Sequence, residues 1–354
     1  MRSALRLAER GRGRTGTNPM VGAVVVRSGR IVGGGWHAGF GLPHAEAVAL
    51  ACARNKSRGA TIYVTLEPCS RVGKTPPCTR MIIASGVRET VFAGSDPHER
   101  GRGARELSAN GVKVRGGLLE QEARVLNREY FARLKSGRPY VTLKLAMTAD
   151  GKIADFRGHS KWISSAAARN WTRSLRSQVD AVMVGAGTAL ADDPRLTSPD
   201  RSRQPWKIIV DGKARLPVSA RVLRGGRLLL ACLRGVPASR REALRSSGAE
   251  ILELPGKRGE VRLRSLMAAL LRRGIGSILC EGGSRLAGSL LEARLVDRVI
   301  LVMAPRLLGG SRSLPALTGR ERPLGKAMVL REVSVRRLGG DMVMEGMLAG
   351  GKKG

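Results

Sequence analysis

The segment from His44 to Cys78 constrains this chain more than any other stretch. It opens with His44 and Glu46 and closes with two cysteines, Cys69 and Cys78, the first of them in a Pro-Cys pair. One imidazole and two thiolates leave the fourth tetrahedral position of a zinc ion open, and an open position distinguishes a catalytic zinc from a structural one. The spacing therefore predicts that His44, Cys69 and Cys78 bind a catalytic Zn²⁺.

Glu46 follows His44 by two positions, so it is close enough to face the same ion without binding it. Zinc lowers the pKa of a bound water to about 7, which makes a nucleophile available without a strong base. In zinc deaminases a glutamate at this spacing carries the proton of the water to the ring nitrogen and the departing amine. We therefore predict that Glu46 is catalytic. The alternative, a core histidine with two buried thiols, leaves the match of all these residues unexplained.

The distance between the two cysteines indicates which deaminase. Eight residues separate Cys69 from Cys78, whereas nucleic-acid-editing deaminases have Cys-x-x-Cys. The stretch from Glu67 to Cys78 resembles the Glu-Pro-Cys-Ser-x-x-Gly-(Arg/Lys)-Thr-Pro-Pro-Cys signature of the bifunctional riboflavin-biosynthesis deaminase-reductase (RibD/RibG) family. The resemblance implies an α/β chain with an N-terminal cytidine-deaminase-like domain, residues 1–139, and a dihydrofolate-reductase-like α/β domain, residues 140–354.

The resemblance also implies two reactions and two cofactors, Zn²⁺ and NADPH. The first domain is expected to deaminate 2,5-diamino-6-(5-phosphoribosylamino)pyrimidin-4(3H)-one by hydrolysis, and the second to reduce the ribosyl chain to ribityl with NADPH. Three residues, Arg71, His98 and Pro199, depart from family positions that touch substrate. They motivate an alternative in which only one of the two domains is active.

Carried over onto this chain, the family's substrate positions in the first domain are Asn18, His37, Lys74 and Asp96. Asn18 is also placed to cap the turn before the β-branched strand that follows Pro19, and the two roles are not exclusive. In place of the usual histidine, Arg71 offers a cation to the phosphate or base of the substrate.

In the second domain the resemblance assigns both cofactor and substrate contacts. The NADPH contacts are Ala146, Trp162, Ser164, Gly283, Ser284, Arg285, Leu286, Ala287, Gly288 and Ser289. The substrate contacts are Lys144, Ser160, Arg176, Thr188, Asp192, Leu196 and Glu281. Because Pro199 stands where the family has an arginine, Arg195, Arg201 and Arg203 are the candidates for the missing phosphate contact.

Two glycine motifs in this half bear on dinucleotide binding. Gly282 and Gly283 join an apolar strand to a helix, a turn that exposes backbone N–H groups to an anion such as a dinucleotide phosphate. A tight turn without a ligand fits this motif equally well. Gly185-Ala186-Gly187 has no third glycine at the dinucleotide-binding spacing, so it is a weak fingerprint.

The alternation of apolar segments predicts β/α units in both halves. A helix from His44 to about Arg54 is expected to aim His44 and Glu46 into one pocket. A helix from Pro77 to Ser85 is expected to present Cys78 at its N-terminus, where the helix dipole favours the thiolate. A single helix from Leu119 to Lys135 and a linker from Ser136 to Pro139 complete the first half.

The formal net charge of +35 raises the question of polyanionic partners. The basic residues are spread over both halves, and aromatic residues make up only 3%, which leaves few platforms for stacking bases. We therefore expect no dedicated nucleic-acid partner and a small phosphorylated pyrimidine as substrate. A nucleic-acid-editing deaminase would also lack the second half, and a non-catalytic zinc-stabilised binding protein would not need Glu46.

Apolar runs and cysteines indicate the cellular location of the chain. No apolar run approaches the eighteen or so residues of a membrane span, so no membrane partner is expected. The five cysteines are few and odd in number, which fits a reducing compartment and a cytoplasmic location. We expect a homo-oligomer.

Overall fold

The computed structural model describes residues 1–73 and 75–348. Lys74, predicted to contact substrate, lies outside the described residues, as does the C-terminal segment 350–354, for which the sequence predicts a loose tail. The contacts divide the chain into two compact units, of which the first ends at Ser136 and the second begins at Gly137. This division falls just before the boundary predicted at 139, and the assignment of one activity to each range remains a prediction.

The first unit contains a five-stranded sheet in the order β2-β1-β3-β4-β5. Its strands are β1 (Gly22–Arg27), β2 (Arg30–Trp36), β3 (Thr61–Leu66), β4 (Glu89–Gly94) and β5 (Lys113–Arg115). Its helices are α1 (Arg2–Glu9), α2 (Ala45–Ala53), α3 (Cys78–Ala84), α4 (Arg102–Ala109), α5 (Glu120–Leu126) and α6 (Arg128–Ser136). β1 is antiparallel to β2 and β3, whereas β3, β4 and β5 run parallel.

Small residues bring α2 directly onto the sheet. A Cβ atom at Gly33 of β2 would lie 2.3 Å from the carbonyl oxygen of Ala49, and one at Gly35 would lie 2.6 Å from that of Ala45. Only glycine permits this approach of helix backbone to strand backbone. The close packing fixes the start of α2, which carries the predicted zinc ligand and general base.

The prediction of one continuous helix from Leu119 to Lys135 is wrong. The structure has two helices, α5 and α6, separated at Asn127, whose φ of −100° and ψ of 22° leave the helical region. The side chain of Asn127 hydrogen-bonds both backbone groups of Met20. Asparagine readily trades helical geometry for such contacts with backbone, so a tertiary contact interrupts a segment that local propensity makes continuous.

The second unit is built on a nine-stranded sheet in the order β11-β10-β9-β8-β14-β6-β15-β18-β17. Its long strands are β6 (Tyr140–Thr148), β8 (Ala181–Gly185), β9 (Trp206–Val210), β10 (Leu228–Leu233), β11 (Ala249–Leu254), β14 (Ser277–Cys280), β15 (Arg298–Ala304), β17 (Leu330–Leu338) and β18 (Asp341–Leu348). Two short pairs are formed by β7 (Lys152–Ala154) with β16 (Leu314–Pro315), and by β12 (Gly256–Lys257) with β13 (Glu260–Val261). The helices are α7 (Ala166–Leu175), α8 (Ala186–Asp192), α9 (Ala238–Ser246), α10 (Leu263–Arg272) and α11 (Ser284–Glu292).

The strands from β11 to β15 run parallel, and β18 and β17 extend the sheet antiparallel. Parallel strands covered on both faces consist of continuous apolar runs, as Ile278, Leu279 and Cys280 of β14 illustrate with at most 1% exposure. Both units combine strands and helices, which confirms the predicted α/β class. Across the described residues, no helix combines the length and apolar character needed to cross a bilayer.

Candidate functional sites

The three predicted zinc ligands come together in the first unit. His44 caps the N-terminus of α2, Cys69 follows β3, and Cys78 is the first residue of α3. His44 Nδ1 lies 3.2 Å from Cys78 Sγ and 3.5 Å from Cys69 Sγ. Their candidate ligand atoms all lie within 4.8 Å of one another.

This arrangement fits a zinc ion. Bonds of about 2.0–2.1 Å to nitrogen and about 2.3 Å to sulfur place tetrahedral ligand atoms roughly 3.5–3.8 Å apart. The hydrogen bond between the sulfurs divides one proton unequally: it lowers the pKa of Cys69 to about 4 and raises that of Cys78 above its usual range. A divalent cation replaces such a proton, because both thiols bind it as thiolates. On the far side of the His44 ring, Thr75 Oγ1 lies 3.3 Å from Nε2 and helps to orient the imidazole.

Glu46 lies in the first turn of α2 and is 3% exposed. Burial, followed by the charge of Cys69, raises the pKa of its carboxyl to about 7. A buried carboxyl with a pKa near neutrality exchanges protons readily with a reacting group. The prediction that α2 aims His44 and Glu46 into one region agrees with this placement, although the catalytic role of Glu46 stays a prediction.

Two predicted substrate contacts lie beside the zinc ligands. Asn18 Nδ2 is 3.0 Å from His37 Nε2, and His37 Nδ1 is 3.2 Å from the carbonyl oxygen of Pro43. A carbonyl only accepts, so Nδ1 carries the proton and Nε2 accepts from Asn18. Burial lowers the pKa of His37, which keeps the ring neutral. Its ring meets that of His44 edge-on, with 5.4 Å between centroids.

Arg71 is held by the loop that follows β4. Its guanidinium contacts the carbonyl oxygen of His98 and lies 3.3 Å from the carboxylate of Glu99. The same carboxylate accepts hydrogen bonds from the backbone N–H of Ser70 at 3.2 Å and from its hydroxyl at 2.5 Å. Burial opposes ionisation of Glu99, but the bonds from Ser70 and Arg71 outweigh it and lower its pKa. Two of the three departures from the family pattern, Arg71 and His98, thus touch each other.

A second carboxylate ties the cysteine turn to α4. Glu67 accepts hydrogen bonds from the backbone N–H groups of Gly101 and Ala104, each at 3.3 Å, at the N-terminus of that helix. Gly103 packs so closely that an added Cβ atom would lie 2.0 Å from the carbonyl oxygen of Pro68. Sequence reasoning gave Glu67 no role of its own, although it opens the Glu-Pro-Cys-Ser signature, and missed Glu99, which belongs to no metal-binding or catalytic pattern.

The second unit contains a cleft of 1210 Å³. It opens where parallel strands end, at Gly185, the last residue of β8, at Val210, the last residue of β9, and at Glu281, which follows β14. Ligands of open α/β sheets bind outside the carboxyl ends of the strands. The volume exceeds the roughly 300–1,000 Å³ of a pocket for one drug-sized ligand, so the cleft has room for a cofactor and a substrate.

Nearly all contacts predicted for this half line the cleft. They are Lys144, Ala146, Ser160, Trp162, Ser164, Arg176, Thr188, Asp192, Leu196, Glu281, Gly283, Ser284, Arg285, Leu286 and Ser289. Ala287 and Gly288 do not line it. Ala287 is fully buried in the hydrophobic core, and a Cβ atom at Gly288 would meet the carbonyl oxygen of Thr318 at 1.6 Å. A helix turns consecutive residues onto different faces, so part of the run from 283 to 289 lies away from the cleft, and the NADPH contacts of this run stay a prediction.

The turn before α11 suits a phosphate group. Gly282 and Gly283 have φ values of 74° and 90°, a region that favours glycine. The backbone N–H groups at the start of α11 are the ordinary binding site for an anion. Ser284 Oγ is buried there without a hydrogen-bond partner among the described residues. A dinucleotide phosphate would satisfy it, so the residues present fit NADPH.

Lys144, Arg176 and Glu281 form a buried charged group at the cleft. Arg176 donates to both oxygens of Glu281, at 2.6 and 2.9 Å. Burial lowers the pKa of Lys144, while Glu281 acts in the opposite direction. Burial would raise the pKa of Glu281, but the charge and hydrogen bonds of Arg176 lower it overall.

Arginines around the cleft give it a basic lining. Of the candidates for the missing phosphate contact, Arg195 lines the cleft, whereas Arg201 and Arg203 do not. Sequence reasoning missed Arg221, which lines the cleft from a turn whose backbone donates to Asp193. The weak fingerprint at Gly185–Gly187 also lines the cleft, but no local signal reveals this before the strands are assembled.

Comparisons with family models match both units. Residues 1–94 match the cytidine and deoxycytidylate deaminase zinc-binding region, and residues 139–344 match the RibD C-terminal domain. Among curated proteins, the chain is 39% identical to riboflavin biosynthesis protein RibD of Aquifex aeolicus, over 97% of this chain and 96% of the relative. It is 40% identical to the RibD protein of Escherichia coli K12, over 97% of each.

Solved structures agree with these matches. RibD of Acinetobacter baumannii superposes with a TM-score of 0.88 at 31% identity, covering 98% of this chain and 97% of that one. A diaminohydroxyphosphoribosylaminopyrimidine deaminase/5-amino-6-(5-phosphoribosylamino)uracil reductase of Thermotoga maritima superposes with a TM-score of 0.86 at 34% identity, covering 99% and 97%. The similarity extends over nearly the whole chain.

Proposed function

Because this chain belongs to the RibD family of riboflavin biosynthesis proteins, we propose that its first unit carries the deamination and its second unit the reduction. The chain is a bifunctional enzyme, a zinc-dependent deaminase and an NADPH-dependent reductase. The alternative in which only one domain is active has no support. The substrate is 2,5-diamino-6-(5-phosphoribosylamino)pyrimidin-4(3H)-one, whose ribosyl chain is afterwards reduced to ribityl.

One observation carries the assignment of the deaminase site, namely the convergence of His44, Cys69 and Cys78 next to buried Glu46. The three ligands hold zinc, which when bound makes a water nucleophilic at neutral pH. Glu46 accepts a proton at its carboxylate twice: it passes the first to the ring nitrogen and the second to the departing amine, which leaves as ammonia. Its pKa of about 7 suits both transfers.

The substrate of the first unit is held by Asn18, His37, Lys74 and Asp96. The Asn18 amide and the neutral His37 ring offer directional hydrogen bonds beside His44. Arg71 is half exposed and fixed by Glu99, so its guanidinium supports an anionic part of the substrate. Hydrogen bonds from Asn18 and His37 and the charge of Arg71 would thus together orient the substrate beside the zinc site.

In the second unit, NADPH supplies a hydride, and the turn before α11 holds a phosphate of the cofactor. Ser160 donates to Asp192 at 2.9 Å, and Lys161 donates to the carbonyl oxygen of the same residue at 3.1 Å, so this corner of the cleft is pre-ordered. Arg176 and Glu281 fix the surroundings of Lys144. Lys144 holds a proton for the nitrogen or oxygen atom bonded to C1′, while C1′ itself receives the hydride. Arg195 and Arg221 take the sugar phosphate.

The cysteines and the charge of the chain bear on its cellular location and its partners. A cytoplasmic location is supported by the cysteines, all of which are free. The basic cleft accounts for part of the +35 charge without a dedicated nucleic-acid partner. A homo-oligomer is part of the proposal, and light scattering tests it.

A coupled assay tests the proposed function. The zinc-loaded protein is given the diaminopyrimidinone ribotide and NADPH, and ammonia release and NADPH oxidation are followed separately. We expect both signals, with ammonia preceding oxidation. Absence of ammonia although zinc is bound would refute the deaminase assignment, and oxidation absent with deaminated substrate would refute the reductase assignment.

A further inference from the structure

Three side chains at the start of α6 reach the two loops that carry the predicted pyrimidine contacts. Tyr130 and Arg133 are spaced three apart on one face of α6, and Asn127, which directly precedes the helix, accepts the hydrogen bond of the Phe131 backbone N–H at its carbonyl oxygen. We propose that this 127–133 face is part of the deaminase machinery, in which Tyr130 positions Asp96 and Asn127 positions the loop that carries Asn18. The inference rests on the proposed function, because it takes Asn18 and Asp96 as substrate contacts.

Asn127 binds the Asn18 loop through both ends of its amide. Its Oδ1 accepts from the backbone N–H of Met20 at 2.7 Å, and its Nδ2 donates to the carbonyl oxygen of Met20 at 2.9 Å. Only one of the two amide orientations makes both bonds. Asn127 is 2% exposed, so water does not compete for them. The backbone just beyond Asn18 is thereby fixed.

The fixed loop leads directly to a zinc ligand. Asn18 donates to His37, which in turn donates to Pro43, the residue before His44. Arg133 supports the same loop from α6, because its guanidinium donates to the carbonyl oxygen of Thr17. A shift of α6 would therefore move Asn18 relative to the reacting centre.

Tyr130 fixes the second loop. Its hydroxyl donates to Asp96 Oδ1 at 3.0 Å, and the backbone N–H of His98 donates to the same oxygen at 2.9 Å. Both bonds go to one oxygen, and within the described residues no hydrogen bond reaches Oδ2, so the carboxylate presents that oxygen for a ligand. Burial raises the pKa of Tyr130, which keeps its hydroxyl a donor.

The 127–133 face thus connects two loops that are far apart in sequence, one before β1 and one after β4. The match to the deaminase zinc-binding region ends at residue 94, so α6 lies outside it. A helix that only covered the core would need apolar side chains at these positions. The buried polar groups of Asn127 and Tyr130 instead form hydrogen bonds with the two loops.

Tyr130→Phe is the sharpest test, because it removes one hydroxyl and keeps the ring that contacts His98 and Phe131. We expect the KM of deamination to rise about tenfold, with kcat changed less than twofold and zinc content unchanged. Reduction of the deaminated intermediate by the same protein is an internal control and should not change. A lower melting temperature with an unaltered KM would show a structural role only and overturn the proposal for Tyr130.

Asp96→Asn separates this inference from the proposed function. If Asp96→Asn leaves KM unchanged, Asp96 is not a substrate contact and the proposed function fails at that residue. If Asp96→Asn raises KM but Tyr130→Phe does not, the contact stands and the positioning role is overturned. We expect the double variant to show no further rise over Asp96→Asn, since the hydroxyl acts through that carboxylate.

Asn127→Asp tests the other loop. It keeps the shape but places an oxygen against the carbonyl oxygen of Met20, so we expect KM to rise about tenfold with zinc retained. Asn110→Asp, an exposed position in the same unit, is the matched control. Equal KM values for both variants, measured well below their melting temperatures, would overturn the role of Asn127.

Discussion

The carboxylate of Glu281 accepts two hydrogen bonds from the guanidinium of Arg176, although 105 residues separate them in sequence. Both side chains are largely buried, with 14% exposure for Arg176 and 11% for Glu281. Breaking such a pair leaves an uncompensated charge. Lys144 belongs to the same group, so the charge on Glu281 also controls the protonation of a lysine at the proposed reduction site.

Glu281→Gln should shift the pH dependence of reduction. Burial already lowers the pKa of Lys144, and Glu281 counteracts that effect. Loss of the negative charge lowers the pKa of Lys144 further. If Lys144 acts as the ammonium ion, the basic limb of the kcat/KM profile moves to lower pH. Glu260→Gln, an exposed residue of the same cleft, is the control, and an unmoved basic limb would exclude this role for Lys144.

Glu46→Gln should abolish deamination selectively. The amide can neither accept nor return the proton, so we expect ammonia release to fall by about 10²–10⁴-fold. Zinc content and reduction of the deaminated intermediate should stay unchanged. Glu122→Gln, exposed on α5, serves as control. Full activity of Glu46→Gln would show that another group transfers the proton.

Zinc removal should separate the two activities. Dialysis against a chelator is expected to stop ammonia release, leave reduction intact and be reversed by added Zn²⁺. Protons compete for His44, Cys69 and Cys78, so zinc retention should fall as the pH is lowered. Atomic absorption after dialysis at acidic and neutral pH measures this. Retention that is the same at both pH values would contradict binding by these residues.

Gly103→Ala should destabilise the first unit. The added methyl group would lie 2.0 Å from the carbonyl oxygen of Pro68, so backbone must move. Overpacking of this kind costs about 1–3 kcal/mol, and we expect lower melting temperature and weaker zinc retention because Cys69 follows Pro68. Gly187→Ala in α8 meets nothing within 4 Å and should be neutral or stabilising. Equal melting temperatures for the two variants would disprove the close packing.

The grouping of His44, Cys69 and Cys78 could be predicted from the sequence because they keep a characteristic spacing, and the α/β class followed from the alternation of segments. Glu99, Asn127 and Tyr130 could not be found in the same way. Their partners, Ser70, Met20 and Asp96, lie far away in sequence, and single polar residues carry no periodic signal. The contact of Asn127 also broke a helix that local propensity makes continuous.

The burial of a charged side chain could not be predicted from the sequence either. Lys207 is fully buried, and its ammonium group donates to the carbonyl oxygens of Val222 and Arg224. In a chain with so many basic residues, nothing in the sequence marks this lysine as internal. A contiguous motif also hides which of its residues face the core: within the run from 283 to 289, Ala287 is buried in the hydrophobic core and Gly288 packs against Thr318.

The place of β6 in its sheet has a consequence for how the protein is made. This strand leaves the ribosome first among those of the second unit, yet it pairs with β14 and β15, and Asp297 binds Arg138 from 159 residues away. Such distant pairings form slowly, because the entropy of closing a long loop is lost before the stabilising contacts can form. The first unit joins β1 to β2 by a short hairpin. We therefore expect nascent chains to acquire the deaminase fold during synthesis and the reductase fold only near its end.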